Sequence, residues 1–203
     1  GRVRKIRDQE GRETCYEWGP FGERKALLYP DGRRIDYGYD GSGRLERVAD
    51  GVREVLYRYD GEGRLSEKQY PGGISCHYGY DRMGRLSTLV HQRQGEIYEQ
   101  YGYGYDQIGN KISIQKSGDG SLYQYRYDPL NRLTEVQKDH HTLRRYQYDA
   151  FGNRILLEAG EDRIHYTYNA ADQLIQIERK GLTEVREYDK RGNLTAVKRG
   201  KDL

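Results

Sequence analysis

Seven aspartates, Asp40, Asp60, Asp81, Asp106, Asp128, Asp149 and Asp189, each follow directly on a tyrosine and return about every twenty residues. Paired carboxylates act as general acid and base when two different environments drive their pKa values apart. Seven carboxylates in one repeated context share one environment instead, and a single structural role accounts for all of them. The five histidines, His77, His91, His140, His141 and His165, offer no better start. His140 and His141 are adjacent in a predicted hairpin turn, and neighbours in an extended chain point apart, so spacing assembles no metal site with the other three. Tyr101-Gly102-Tyr103-Gly104-Tyr105 has glycine at alternate positions of a strand pattern and lacks the strand-to-helix context of a phosphate loop; its glycines are expected to let adjacent rings pack. No nucleophile stands beside a base. The sequence therefore predicts no enzyme, no metal and no cofactor. The binding chemistry it does offer is aromatic: tyrosines with Gln, Arg and Asp between them can stack on a pyranose ring and hydrogen-bond its hydroxyls, against which stands the ordinary use of repeated tyrosine as core.

What positions these residues is a strand. In Arg34-Ile35-Asp36-Tyr37-Gly38-Tyr39 the residues Ile35, Tyr37 and Tyr39 share one parity and so one face of an extended chain. A 3.6-residue period would scatter the same rings around a helix, and tyrosine favours strands. Asp-x-x-Gly follows, the preference of a type I turn: the aspartate accepts from backbone N–H groups ahead of it and the glycine takes positive φ. Pro129 fits the second position of the turn after Asp128, and Asn131 replaces glycine as the residue that best tolerates left-handed φ. The next strand opens on Arg-Leu or a close variant and often carries a second aliphatic three residues on, as at Leu45 and Val48. A spacing of three breaks strand alternation, so either a β-bulge or a sheet covered on both faces is needed.

The full pattern is Tyr37, Tyr39, Asp40, Gly43 and Arg44, then Tyr57, Tyr59, Asp60, Gly63 and Arg64, then Tyr78, Tyr80, Asp81, Gly84 and Arg85. It continues through Tyr103, Tyr105, Asp106 and Gly109, through Tyr125, Tyr127 and Asp128, and through Tyr146, Tyr148, Asp149 and Gly152. With looser copies at Gly19, Asn169 and Asp189, the steps between markers are 21, 20, 21, 25, 22, 21, 20 and 20 residues. Such a period signals a tandem array, here one array of about nine units over residues 1–203. The long step is predicted to fall in an outward turn at Val90 to Ile97. Two strands per unit give about eighteen strands, roughly 85 Å of ribbon at about 4.8 Å per strand, which strand twist makes curve and coil. Stacking places a turn Asp within reach of a neighbouring unit's Arg.

Composition fits a folded, polar assembly. Leu, Ile, Val and Phe together make just under one-fifth of the residues, but the net charge is only +3 and 21 tyrosines supply apolar mass; disorder goes with high net charge and few aromatics. The 35 basic and 32 acidic residues are interleaved, which points away from nucleic acid. No apolar run is long enough to span a membrane as a helix. No signal peptide is visible, so an export signal is expected elsewhere in a longer parent. Cys15 and Cys76 lie three repeats apart, which predicts free thiols.

The tandem Y-x-Y-D-x-x-G-R/N-L pattern, from Tyr16 to Val197, resembles the YD repeat of the Rhs family, shared by bacterial polymorphic toxins, the B-C components of insecticidal toxin complexes and teneurins. The resemblance implies hairpins that spiral into a hollow β-shell, enclosing in the bacterial members a C-terminal toxin, in a secreted or cell-surface setting. It implies as partners further YD repeats of a longer chain and an encapsulated toxin or cargo polypeptide. The toxin-bearing members also have a core segment whose aspartates cut the chain; Asp128-Pro129-Leu130-Asn131 is similar to its Asp-Pro but sits in a repeat turn. The unit at Asn169 departs with Asp172 in place of Gly, and that at Asp189 with Arg186 in place of its first Tyr. The alternative expectation is a cell-surface carbohydrate- or protein-recognition module that uses the tyrosines. Terminal strand edges without capping units predict self-association.

Overall fold

The computed structural model describes residues 2–201. Among them there is no helix, and every described strand pair is antiparallel and joins consecutive strands. The chain divides into two compact units, Gly1–Gly102 and Tyr103–Leu203. The first holds β1 (Lys5–Arg7), β2 (Glu13–Trp18), β3 (Arg24–Leu28), β4 (Arg34–Tyr39), β5 (Leu45–Ala49), β6 (Glu54–Tyr59), β7 (Leu65–Tyr70), β8 (Ile74–Tyr80) and β9 (Leu86–Arg93). The division falls inside β10 (Glu96–Tyr105). The second unit continues with β11 (Lys111–Lys116), β12 (Leu122–Tyr127), β13 (Leu133–Lys138), β14 (His141–Tyr148), β15 (Arg154–Ala159), β16 (Asp162–Tyr168), β17 (Leu174–Arg179), β18 (Leu182–Tyr188) and β19 (Leu194–Gly200). The strands number nineteen rather than eighteen because Lys5–Arg7 pairs with the strand of the first recognisable repeat.

The aliphatic spacing of three is resolved by a bulge. Tyr37 lies opposite Val48 and Gly38 opposite Arg47, but Tyr39 lies opposite Leu45, so Glu46 is the extra residue. One inserted residue restores Leu45 and Val48 to the face that carries Tyr37 and Tyr39. The same slip occurs after Glu17, Arg58, Gly79, Arg126, Gln147, Thr167 and Glu187. It follows the turn every time, because the type I turn and its left-handed fourth residue deliver the chain to the second strand one residue out of step.

Within each unit the strands therefore present an aromatic face and a polar face. On the aromatic face Tyr57 pairs with Lys68, Lys68 with Cys76 and Cys76 with His91. The polar face carries rows such as Arg126, Glu135, Arg145, Glu158 and Arg163. Within each unit the described strands pack on their sequence neighbours alone, so burial is sparse: among the described residues Ala26, Leu27, Ala49 and Cys76 in the first unit and Leu156 in the second are the buried apolar ones. Long side chains lying along the strands do the covering that a second layer does elsewhere.

Two expectations are corrected. The 25-residue step does not enlarge a turn: Gln94 and Gly95 close a two-residue hairpin with φ of 52° and 86°, and the added residues lengthen β9 and β10. Nor do the glycines between tyrosines make room for rings. Gly79 and Gly104 face the polar side, where a Cβ would sit 2.2 Å from Thr88 Oγ1 and 2.3 Å from Ser113 Oγ.

The aspartate turn and its tyrosine clamp

Asp40 fixes the turn that carries it. The backbone N–H groups of Ser42 and Arg44 donate to its Oδ1 at 2.9 Å each, and Arg44 Nε donates to Oδ2 at 2.7 Å. The main chain closes around it, with Gly43 N–H donating to the Asp40 carbonyl and Asp40 N–H to that of Arg44, both at 2.9 Å. Gly43 has φ of 78°. Asp60, Asp81 and Asp128 repeat the arrangement with Arg64, Arg85 and Arg132. Asn131 and Asp172 stand at φ of 62° and 56° where other turns have glycine. At the marker Gly19 the carboxylate comes from Glu23, whose Oε2 accepts the Phe21 N–H at 3.1 Å.

The arginine pairs with the carboxylate of its own turn rather than a neighbour's as stacking suggested, although Arg132 also reaches the next turn, donating from Nη1 to the Asp149 carbonyl at 2.9 Å. What the neighbour supplies is a tyrosine. The Arg44 guanidinium lies 4.6 Å from the Tyr59 ring centroid, and the Tyr59 hydroxyl donates to the Leu45 carbonyl at 2.8 Å. The backbone ladder between β5 and β6 ends at Arg47 and Leu56, short of Leu45 because of the bulge, so the hydroxyl takes over where the ladder stops. Tyr80 does the same for Leu65 and Tyr148 for Leu133, at 2.8 Å, under Arg64 and Arg132. Tyr39, Tyr127, Tyr168 and Tyr188 make the hydroxyl bond to Arg24, Lys111, Arg154 and Leu174. Asn110, Asn153 and Asn193 replace the arginine in three turns, each amide donating to its own aspartate, and two of them reach the next turn, Asn110 to Asn131 at 3.1 Å and Asn153 to Asp172 at 2.9 Å.

This chemistry is structural. Backbone N–H donation, from Arg44, Arg85 and Arg132 in turn, is the chief cause that holds Asp40, Asp81 and Asp128 below the ordinary carboxylate range. A carboxylate with both oxygens engaged and a lowered pKa is a poor base. Burial pushes the Tyr59, Tyr127 and Tyr148 hydroxyls up, keeping them as donors.

The remaining candidates are placed as follows. His77 and His91 lie on opposite faces of the first unit: His91 Nδ1 is 3.1 Å from Cys76 Sγ, while His77 Nε2 is 3.1 Å from both Ser75 Oγ and Gln92 Oε1. Alternation between the faces keeps them apart, and sequence spacing alone missed both pairs. His140 occupies a hairpin turn at φ 67°, and His165 lies in β16. No group of three metal-ligating side chains is gathered among the described residues. Cys15 and Cys76 are free thiols. The paired tyrosines are half-buried, whereas Tyr29, Tyr70 and Tyr98 are exposed.

Consecutive antiparallel hairpins, turns capped by a carboxylate or, at Asn169, an amide oxygen, and tyrosines joining one repeat to the one before define a YD-repeat sheet of the kind that builds β-shells. Residues 74–202, more than half of the chain, match the model of the teneurin YD-shell, and residues 39–75 match that of the RHS repeat. The chain belongs to the teneurin YD-shell family. Among curated proteins it is 28% identical over 193 residues to the tRNA nuclease WapA of Bacillus subtilis, covering 88% of this chain and 8% of that one. It is 26% identical over 188 residues to the double-stranded DNA deaminase toxin A of Burkholderia cenocepacia, covering 91% and 10%. The chain thus spans about a tenth of the length of these relatives. A crystal structure of TcdB2-TccC3 without its hypervariable C-terminal region aligns with TM-score 0.76 at 16% identity, over 92% of this chain and 11% of that one. The Tc holotoxin pore of Photorhabdus luminescens gives 0.65 at 17%, over 98% and 15%. At these identities the structural likeness is one of fold.

Proposed function

We infer that this chain is a non-catalytic wall segment of a β-shell that encloses and protects a toxin or other polypeptide cargo in a secreted bacterial toxin system, continued by further YD repeats. The observation that carries this reading is the repetition of the clamp: turn Asp, its Arg or Asn, and the next repeat's Tyr are consumed in joining one hairpin to the next. A wall needs that, and it leaves no singular constellation for catalysis. Two relatives whose names describe nucleic-acid enzymes, one of them a toxin, share this segment over a tenth or less of their length, as a module common to proteins of different activity would. The alternative is a cell-surface recognition module that stacks sugar on tyrosine. Half-burial of the repeat tyrosines and the commitment of seven hydroxyls, from Tyr39 to Tyr188, to carbonyls count against it. Limited proteolysis of the protein with its adjoining repeats and C-terminal region tests the shell: cargo that resists protease until the repeats are denatured supports it, and cargo cleaved at the rate of an unfolded chain while the repeats stay intact overturns it.

A further inference from the structure

The two faces of the second unit treat charge differently. On its polar face three of the four strand acids have a basic partner: Glu135 holds Arg126 at 3.2 Å and Arg145 at 3.3 Å, Glu158 accepts Arg163 Nε at 3.0 Å, and Glu187 pairs with Lys198, while Glu178 accepts the Gln176 amide at 2.7 Å. On the aromatic face of β11 to β19 the acids are Asp162 and Glu184, read from strand register. Each is already held by two cations, Asp162 by Arg179 and Lys180, Glu184 by Arg186 at 2.8 Å and Arg199 at 2.7 Å. Further cations share that face, among them Lys111, Lys138, Arg144 and Arg154. Lys138 is opposite Tyr123, Arg144 opposite Val136 in the row of Tyr125, and Arg154 opposite Tyr148, while Lys111 lies against Tyr103.

None of the four forms an ion pair with a carboxylate of the described residues; Lys138 feels Asp119 only at longer range. Three of them rest on rings instead. Lys111 is 4.8 Å from the Tyr103 centroid, Lys138 5.6 Å from Tyr123, and Arg154 4.7 Å from Tyr166 and 5.9 Å from Tyr146. The Arg154 Nε is buried with no hydrogen-bond partner. Lys111 and Arg154 also stand where six other repeats have Leu45, Leu65, Leu86, Leu133, Leu174 and Leu194, and where the repeat at Gly19 in the first unit has Arg24. Partly covered cations over aromatic rings, on a face short of acids, are complementary to an incoming anion.

We propose that the aromatic face of the second unit receives an acidic segment of polypeptide, whose carboxylates pair with Lys111, Lys138, Arg144 and Arg154 while its apolar groups lie on the tyrosines between them. Lys111 and Arg154 are four strands apart, about 19 Å at about 4.8 Å per strand, so carboxylates some six residues apart in an extended segment, at about 3.3 Å per residue, bridge them. That the anion belongs to a polypeptide rests on the shell reading above; the excess of cations does not.

The test uses the 203-residue chain and a fluorescein-labelled peptide of alternating Glu and Ser, followed by anisotropy. Lys111→Leu with Arg154→Leu installs the residue of six other repeats and keeps the carbonyls that Tyr127 and Tyr168 bond, so the fold survives, as circular dichroism checks. The expected result is salt-sensitive binding that the double variant weakens roughly tenfold, while Arg145→Gln with Glu158→Gln on the polar face leaves it unchanged. Absence of binding, equal loss in both variants, or tighter binding of an oligothymidylate or polygalacturonate than of the peptide overturns the proposal. Protease protection of cargo in the longer protein reads the shell separately: protection with no peptide binding refutes this inference alone, and binding without protection refutes the shell alone.

Discussion

Tyr80→Phe removes one oxygen atom and asks whether the clamp holds neighbouring repeats together. In the first unit the Tyr80 hydroxyl donates to the Leu65 carbonyl at 2.8 Å and the Arg64 guanidinium sits 4.6 Å over the ring. Phenylalanine keeps the ring and the cation above it, so what is lost is the hydrogen bond, a net of about 1 kcal/mol, rising toward about 2 kcal/mol because the half-buried carbonyl is left without its donor. Tyr80→Leu also forfeits the cation–ring contact, about 0.5–1 kcal/mol more. Tyr98→Phe is the control: that residue is 56% exposed and its hydroxyl donates to no described residue, so the change is expected to stay within about 0.5 kcal/mol of zero. Urea unfolding followed by circular dichroism gives the midpoints. Slopes must be compared as well, since a repeat array loses two-state behaviour when one junction weakens. Hydrogen exchange over residues 65–80 then shows whether the loss is local. If Tyr80→Phe costs no more than Tyr98→Phe, the carbonyl is equally well served by water and the hydroxyl is not a joint between repeats.

Gly43→Ala and Gly41→Ala separate backbone strain from packing in one turn. A Cβ meets nothing within 4 Å at either position, but Gly43 has φ of 78° and Gly41 has no positive φ, so the first is expected to cost about 1 kcal/mol and the second close to nothing in the same urea titration. Stability should also form a plateau in pH. Asp40, Asp81 and Asp128 titrate lower folded than unfolded, so their contribution is complete above about pH 4 and disappears as pH falls through their lowered values. Tyr59, Tyr127 and Tyr148 titrate higher folded than unfolded, so theirs is complete below about pH 10 and is lost as pH rises through the raised values. A urea midpoint that does not move between pH 5 and pH 2.5, estimated to bracket the ordinary carboxylate pKa, contradicts the turn chemistry.

The period, the strands and the turn were legible because each is written within a few adjacent residues. Asp-x-x-Gly specifies its turn by itself, and Asn131 in the glycine position confirms the left-handed residue by chemistry rather than by count. The joints between repeats were not legible. Arg44 has two Tyr-Asp marker aspartates, Asp40 and Asp60, within a repeat length, and the local geometry around the slip at Glu46 brings it to Asp40 while Tyr59 reaches Leu45. The long step after Asp81 reads as a loop because insertions usually are loops, yet a short Gln94-Gly95 turn and two long strands absorb it. Net charge near zero likewise concealed the division of charge between faces, which depends on parity counted through each bulge. Lys111 and Arg154 carry no signal in the sequence beyond a change from leucine, and only the register puts them on the ring face.

The tyrosine bonds join residues 14–16 positions apart, and strands within each unit pair with their immediate successors. Ordering one more hairpin thus closes only a short loop of chain, and topology of this kind favours fast, local folding. Emerging from a ribosome, such a chain can lay down each hairpin on the one before as soon as its tyrosine is free of the exit tunnel, without waiting for a distant partner. The sheet of each unit can then form in the order in which its strands are made.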